Sequence, residues 1–364
     1  MLSNSQLNSK WRRKVAQLSP DGCETRKLNL LWLIIGMYKA KSVHISLIAR
    51  TIPVRAQKLS LDKRLRRFLS NGAIRVREWY QPVADDLLQA ASSAGQVHLI
   101  IDSSKVGFGH QLLMVAIAYR RRALPLAWTW VKGSRGHSTT HKQTALLSYV
   151  QSLIPAGVKV SLVGDCEFGR ATLLPTLERW GWSYALRQPS DHLILPQGCA
   201  LWQRIDLVPL SPGDLLPLGK VALTYAHAVS TNLVLFWQHD KAEPWFLATN
   251  LQCPRAALLL YRRRMWIEEM FGDMKKHGFD LEASYLRHFL RLSRLTLAVC
   301  LLYLWLVGLG DYVLTHGLQS VVDRSDRRDL SIFRLGWDFL ERRLALDDPL
   351  PDIFVPNFCS VSGG

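Results

Sequence analysis

Between Tyr261 and Lys276 the chain reads YRRRMWIEEMFGDMKK, and four of these side chains carry chemistry at a helical spacing. The run has no proline, one glycine and many strong helix formers, so it is predicted as a single α-helix. At about 100° per residue from Tyr261, Arg264 falls at about 300°, Glu268 at about 340° and Lys275 at about 320°. A tyrosine, an arginine, a carboxylate and a lysine thus share one narrow stripe. Ile267, Met270, Phe271 and Met274 fill the adjoining arc and would seat the helix on a core. A carboxylate at the edge of a buried face, with cations a turn before and two turns after, suits work on a polyanion. The same pattern fits an ordinary amphipathic helix with i,i+4 charge pairs, so the rest of the chain has to decide.

The charge balance points the same way. A net charge of +17 and a pI near 9.9 favour a polyanionic partner, nucleic acid or an anionic membrane surface. The basic clusters Lys63–Arg67, Arg120–Arg122 and Arg262–Arg264 lie inside segments that read as folded, which fits a DNA-contacting face better than a disordered arm. The six cysteines form no CxxC pair and read as reduced, packed residues of a cytosolic protein rather than a zinc site or disulfide framework. The first residues, MLSNSQLNSKWRRK, lack the apolar stretch of a signal peptide. Leu295–Leu309 is the most apolar run, but at about 15 residues it is shorter than the roughly 20 needed to span a bilayer, so a buried helix and no membrane partner are expected. No GxxxxGK[ST] loop occurs, which argues against a nucleotide cofactor.

The elements that must position the stripe can be followed along the chain. Residues 1–92 read as helical, with an apolar helix over Thr25–Lys41, a short one capped by Ser42 and ending near Arg50, and a basic one capped by Ser60 and stopped at Asn71-Gly72. In that basic helix Leu61, Leu65, Phe68 and Leu69 face inward, leaving Lys63, Arg64, Arg66 and Arg67 outside. Two short helices with a turn, the second basic, match a DNA-reading pair with Arg66 and Arg67 as contacts, and equally match a solvated basic face. Residues 93–187 change texture. Val97–Asp102 is a buried strand ending in an acid, Leu112–Tyr119 and Leu124–Val131 are two more strands, and Thr139–Leu153 is a helix. Val158–Val163 is a strand delivering Gly164-Asp165, followed by a helix over Ala171–Arg179 and a strand over Trp182–Leu186. This β-β-β-α-β-α-β order, with acids after the first and fourth strands, is that of a ribonuclease-H-like α/β core. There the first and fourth strands are neighbours, so Asp102 and Asp165 should end side by side. Residues 188–244, punctuated by proline, form a β-rich insertion. Residues 245–310 complete the core with the Glu268 helix and are expected to stay helical from Lys276 to Gly308. Residues 311–364 form a tail with a helix near Ser331–Arg343 and a loose end.

The spacing Tyr261, Arg264, Glu268, Lys275 resembles the YREK signature of bacterial insertion-sequence transposases of the IS-four group, within the DDE transposases. That resemblance spans roughly residues 40–310 and implies a β insertion before the glutamate helix, where the proline-punctuated run lies. Asp102, Asp165 and Glu268 are then the catalytic acids. Three carboxylates from two strands and a helix form a hard oxygen site suited to two Mg²⁺ ions, or Mn²⁺ in their place, for in-line displacement at phosphorus. Asp102 would bridge both ions, with Asp165 and Glu268 holding one each. Arg264, Lys275 and Tyr261 would hold phosphates flanking the scissile bond. Glu269 points about 100° away and breaks the spacing.

Softer features accompany these. Asp165-Cys166-Glu167 resembles the family's D-x-E turn, with Glu167 read as structural. Trp245 opens a strand that in hairpin-forming relatives stacks on a flipped base, and it fits ordinary core packing as well. His137 and His141 are four residues apart without a third ligand, so Arg135, His137 and Lys142 read as DNA contacts rather than a zinc site. The expected activity is binding of terminal inverted repeats in double-stranded DNA, metal-dependent cleavage, and joining of 3′-hydroxyl ends to target DNA by a homodimer assembled on DNA. A nuclease or resolvase that cuts without joining and a catalytically silent repressor are the alternatives.

Overall fold

The computed structural model describes residues 2–19, 22–107, 109–133 and 138–358. Helices α1 (Leu2–Leu18), α2 (Glu24–Ala40), α3 (Ile45–Thr51), α4 (Lys58–Ser70) and α5 (Val76–Ser93) make up the N-terminal region. The capping expectations shift slightly. α3 begins at Ile45 behind His44, with the Ser42 hydroxyl accepting from the His44 amide, and α4 starts before Ser60. Leu61, Leu65, Phe68 and Leu69 face inward as their spacing requires. Arg64 is not outside: its guanidinium bonds Asn29 Oδ1 at 2.7 Å and lies 4.3 Å from the Trp32 ring. Its aliphatic stem covers apolar surface while its head finds partners at the helix crossing.

The sheet is built outward from two strands. β1 (Gln96–Val106) is flanked on one side by the antiparallel hairpin β2 (His110–Tyr119) and β3 (Arg122–Lys132). After α6 (Thr140–Leu153), β4 (Lys159–Gly164) enters parallel to the other side of β1. α7 (Leu174–Arg179) then leads to β5 (Ser183–Arg187), parallel to β4. The order β3-β2-β1-β4-β5 is the ribonuclease-H-like one. Leu99, Ile100, Ile101, Leu162 and Val163 are fully buried, as parallel strands covered on both faces demand. β1 does not stop at Asp102 but continues to Val106, because β2 offers backbone partners as far as His110.

The β-rich insertion is part of the same sheet. Among the described residues β6 (Leu193–Pro196), β7 (Gln203–Arg204), β8 (Leu215–Leu223), β9 (Val229–Phe236) and β10 (Trp245–Thr249) complete ten strands in the order β3-β2-β1-β4-β5-β10-β9-β8-β6-β7. β10 hydrogen-bonds β5 on one side and β9 on the other, so the insertion extends the core sheet edge to edge.

The helix expected over Tyr261–Lys276 is two helices, α8 (Pro254–Arg262) and α9 (Met265–Met274). At the junction the amides of Arg263, Arg264 and Trp266 each bond the carbonyl three residues back, which tightens the chain locally. Helicity also does not persist from Lys276 to Gly308. Asp280 and Tyr285 adopt left-handed backbone either side of a 3-10 turn, Leu281–Ser284, before α10 (Phe289–Thr315) begins. α10 has 27 residues, so it is long and apolar enough to cross a membrane, contrary to the length expectation. Its most apolar stretch is instead 89% buried within the fold. α2, α4 and α5 pack on one side of it and α11 (Ile332–Leu346) on another. Arg294, buried on α10, donates to the carbonyls of Leu69 and Ile74 and so ties the N-terminal helices to the core. The tail is not loose as far as Phe358. Lys10 pairs with Asp352, the Trp11 ring meets Phe354 at 5.6 Å, and Asn357 donates its amide to buried Asp311 at 2.9 Å.

Two arginines of the Arg120–Arg122 cluster are structural. Arg120 pairs with Asp311 at 3.3 Å, and Arg122 reaches Asp273 on α9 at 2.7 Å and Glu269 at 3.3 Å. Burial pushes the Asp273 carboxyl up to about 6 even against the neighbouring Arg122. This pair fixes α9 against β3.

Candidate active site

Asp102 lies on β1 and Asp165 directly follows β4. The ladder pairs Ile101 with Gly164, so the next residues on the two strands are the two aspartates. Glu268 comes from the first turn of α9. The structure brings all three together around one side chain, Arg264, at the junction of α8 and α9. Its Nη2 is 3.3 Å from an oxygen of Asp102 and 3.3 Å from one of Asp165, while Nη1 pairs with Glu268. Arg264 therefore points at the acids. It keeps the i,i+4 relation to Glu268 that the helical spacing gives, and from there its other nitrogen reaches the two aspartates.

The three acids differ in environment. Asp102 is 5% exposed and its carboxyl is raised to about 7, foremost by burial, with Arg264 opposing and Asp165 adding to the rise. Side-chain exposure rises to 31% for Asp165 and 43% for Glu268, so the cluster is approached from the Glu268 side. The acids line a cleft of 410 Å³ with Ser103, Ser104, Lys105, Glu167 and Lys275. Lys275 ends α9, donates to the Lys105 carbonyl and pairs with Glu282 at 3.2 Å, so it stands at the cleft wall with partners already in place.

Glu167 acts as a staple. It accepts from the Ser103 hydroxyl at 2.8 Å and from the amide and hydroxyl of Ser138, joining β1 to the segment that enters α6. Asp165 Oδ1 accepts from the Glu167 amide at 2.9 Å, which holds the turn after β4. Ser103, Ser104 and Lys105 escape a sequence reading that ends the strand at Asp102, because three polar residues in a row carry no period-two signal.

Other expected contacts fare differently. Tyr261 is buried, its hydroxyl raised by burial, and its ring meets Trp245 edge-on at 5.0 Å. Its ring seats α8 on β10. Trp245 is half-buried and also packs on Phe236 at 5.9 Å. Glu269 is held by Arg122, away from the acids. Lys142 is exposed in the first turn of α6, while Arg135 and His137 lie outside the described residues. Arg66 is paired with Asp62 at 2.6 Å. Arg67 instead lines a concavity of 580 Å³ with Arg26, Arg64, Asn29 and Asn71, between α2 and α4. Among the described residues no carboxylate lines that concavity.

The transposase DDE domain, as a family, matches residues 93–305, which span every strand and all three acids. The chain belongs to the DDE transposases. No curated protein matches it. Among solved structures, a piggyBac transposase synaptic complex with hairpin DNA aligns over 98% of this chain and 84% of its own, at 11% identity and a TM-score of 0.41. DDE transposases act on DNA and as a class use divalent metal ions. The donor set of this transposase fits such ions: three carboxylates, no thiolate or imidazole, one of them buried enough to need a cation beside it. Among the described residues no group of His, Cys, Asp and Glu is arranged ready for a metal, and the three acids are each paired with Arg264.

Proposed function

We propose that this transposase is of the IS-four, YREK-signature kind, binding the inverted ends of an insertion sequence, cleaving them and joining their 3′-hydroxyls to target DNA. The observation that carries this reading is the convergence of Asp102, Asp165 and Glu268 from two neighbouring strands and one helix in a single open cleft. Asp102, Asp165 and Glu268 would hold two Mg²⁺ ions, with Mn²⁺ an adequate substitute. Bound there, divalent ions activate an attacking oxygen and stabilise the leaving one. Asp102, buried and flanked by β2 and β4, sets a fixed origin for the site, and Glu268 closes it from the accessible side. Lys275 and the hydroxyls of Ser103 and Ser104 face the same cleft and suit the phosphates on either side of the scissile bond. The test is a strand-transfer assay with a duplex carrying the element's ends and a supercoiled target plasmid. Joined products are expected; cleaved ends that never join would identify a nuclease instead.

End DNA is also proposed to run over the concavity between α2 and α4. Arg64 is already fixed there by Asn29 and Trp32, so little side-chain freedom is lost on binding a phosphate, and Arg26 and Arg67 flank it. Arg26→Ala with Arg67→Ala should flatten the salt dependence of end binding by about one unit of slope per lost phosphate contact. Arg66→Ala, which removes a side chain held by Asp62, should change the slope little. An unchanged slope in the double variant would remove this surface from the DNA path. Mass photometry on the same complexes should show two chains bridging two ends, since each chain brings one acid cluster and an element has two ends.

A further inference from the structure

The acid cluster already has a cation in it, and that cation belongs to the chain. Nη2 of Arg264 sits between Asp102 and Asp165, equidistant from both, while Nη1 takes Glu268. Divalent Mg²⁺ binds carboxylate oxygens at about 2.0–2.1 Å, so an ion shared by the two aspartates and a guanidinium bonded to those same oxygens exclude each other. We infer that Arg264 is a positioning residue that exchanges places with the metal, holding the three acids together until the ion enters and then, once DNA is bound, resting on a substrate phosphate. The inference rests on the metal-dependent reading of the site and adds an order of events to it.

Three features of the structure support the exchange. Arg264 is placed at the junction of α8 and α9, one turn before Glu268, where its side chain reaches the two aspartates as well. Its Nε is buried without a hydrogen-bond partner, so the present position leaves one donor of the guanidinium fork unused. A phosphate in the adjoining cleft can accept two parallel bonds from the fork, which three separate carboxylates around it do not provide. Charge acts in the same direction. The carboxylates outnumber the one guanidinium, so the cluster keeps a net negative charge that draws a divalent ion, while releasing Arg264 without a new anion would leave it without a counter-charge in a half-buried place. Metal and DNA should therefore assist each other's binding, a reciprocal coupling through one side chain.

The experiment uses the full chain, Mn²⁺ as the probe, and phenylglyoxal labelling of arginines read by peptide mass spectrometry. In chelator, Arg264 of the wild type should be protected. With Mn²⁺ alone its labelling should rise severalfold, and with Mn²⁺ and end DNA together it should be protected again. By calorimetry Arg264→Ala should bind Mn²⁺ at least tenfold more tightly than wild type without DNA, and should lose most of the tightening that DNA gives the wild type. Arg264→Lys, which keeps the charge but not the fork, should lie between the two, and it serves if the alanine variant does not fold. Mn²⁺ that binds the wild type, is lost in Asp102→Asn, and leaves Arg264 labelling unchanged would overturn this inference alone. Failure of Mn²⁺ to bind with or without DNA would overturn the metal-dependent reading as well.

Discussion

Asp102→Asn, Asp165→Asn and Glu268→Gln should each reduce cleavage of end DNA by at least about a thousandfold, the upper end of what removing one preorganised charge-stabilising group costs an active site. Each change removes an oxygen ligand's charge and almost no volume, so folding and end binding should persist. The reason lies in how the cluster is made: two of the acids are adjacent by strand register, and neither can be replaced by a neighbour without moving a strand. Glu269→Gln is the control. It loses a surface partner of Arg122 and should cut normally. Near wild-type cleavage by any of the three acid variants, measured in a gel assay at saturating Mg²⁺, would remove that residue from the site.

The second large effect is on stability, at the crossing of α10 and α11. A Cβ on Gly336 would lie 1.8 Å from the Leu306 carbonyl oxygen, and one on Gly310 would lie 1.8 Å from that of Ile332. The obstacle in both cases is backbone rather than a side chain that can turn aside, so the helices must part along their length. Around that crossing Phe333, Trp337, Leu304 and Leu306 are all buried, and their packing would open with it. Gly336→Ala and Gly310→Ala should each cost about 3 kcal/mol, the upper range for overpacking a filled core. Urea denaturation should show the midpoint falling with little change in slope. Gly72→Ala, at a turn where a Cβ meets nothing within 4 Å, should be nearly neutral by the same measurement. Loss of less than about 1 kcal/mol in both crossing variants would mean that the two helices are not held at backbone contact.

Much of the site can be read from the sequence because strong local patterns point to it. VHLIID and VKVSLVGD are β-branched, largely apolar runs that end in acids, and such runs read as buried strands of one sheet. The position of Glu268 comes from its spacing to Arg264 and Lys275. Sequence patterns are silent where long-range ion pairs override local propensity. Arg262-Arg263-Arg264 is good helix material, and nothing local marks the tight turn there or the pairing of Arg264 with Asp102, 162 residues earlier in the chain. Tyr261 looks available on a helical wheel and is buried because Trp245 comes to meet it. The apolar run of α10 looks too short to span a membrane only while its polar ends, which are helical too, are left out of the count.

The continuity of the sheet through β5, β10 and β9 has a mechanical consequence. A domain inserted through flexible linkers could swing like a lid over bound DNA, but this one is bonded to the core along a strand. Force applied to β8 and β9 passes through β10 to β5 and, at the end of β10, into α8 and the turn that carries Arg264. The sheet is thus a stiff lever with the acid cluster near its fulcrum. DNA gripped by the outer strands would bear on the alignment of Glu268 against the two aspartates as torque on one beam, rather than as the closing of a separate jaw.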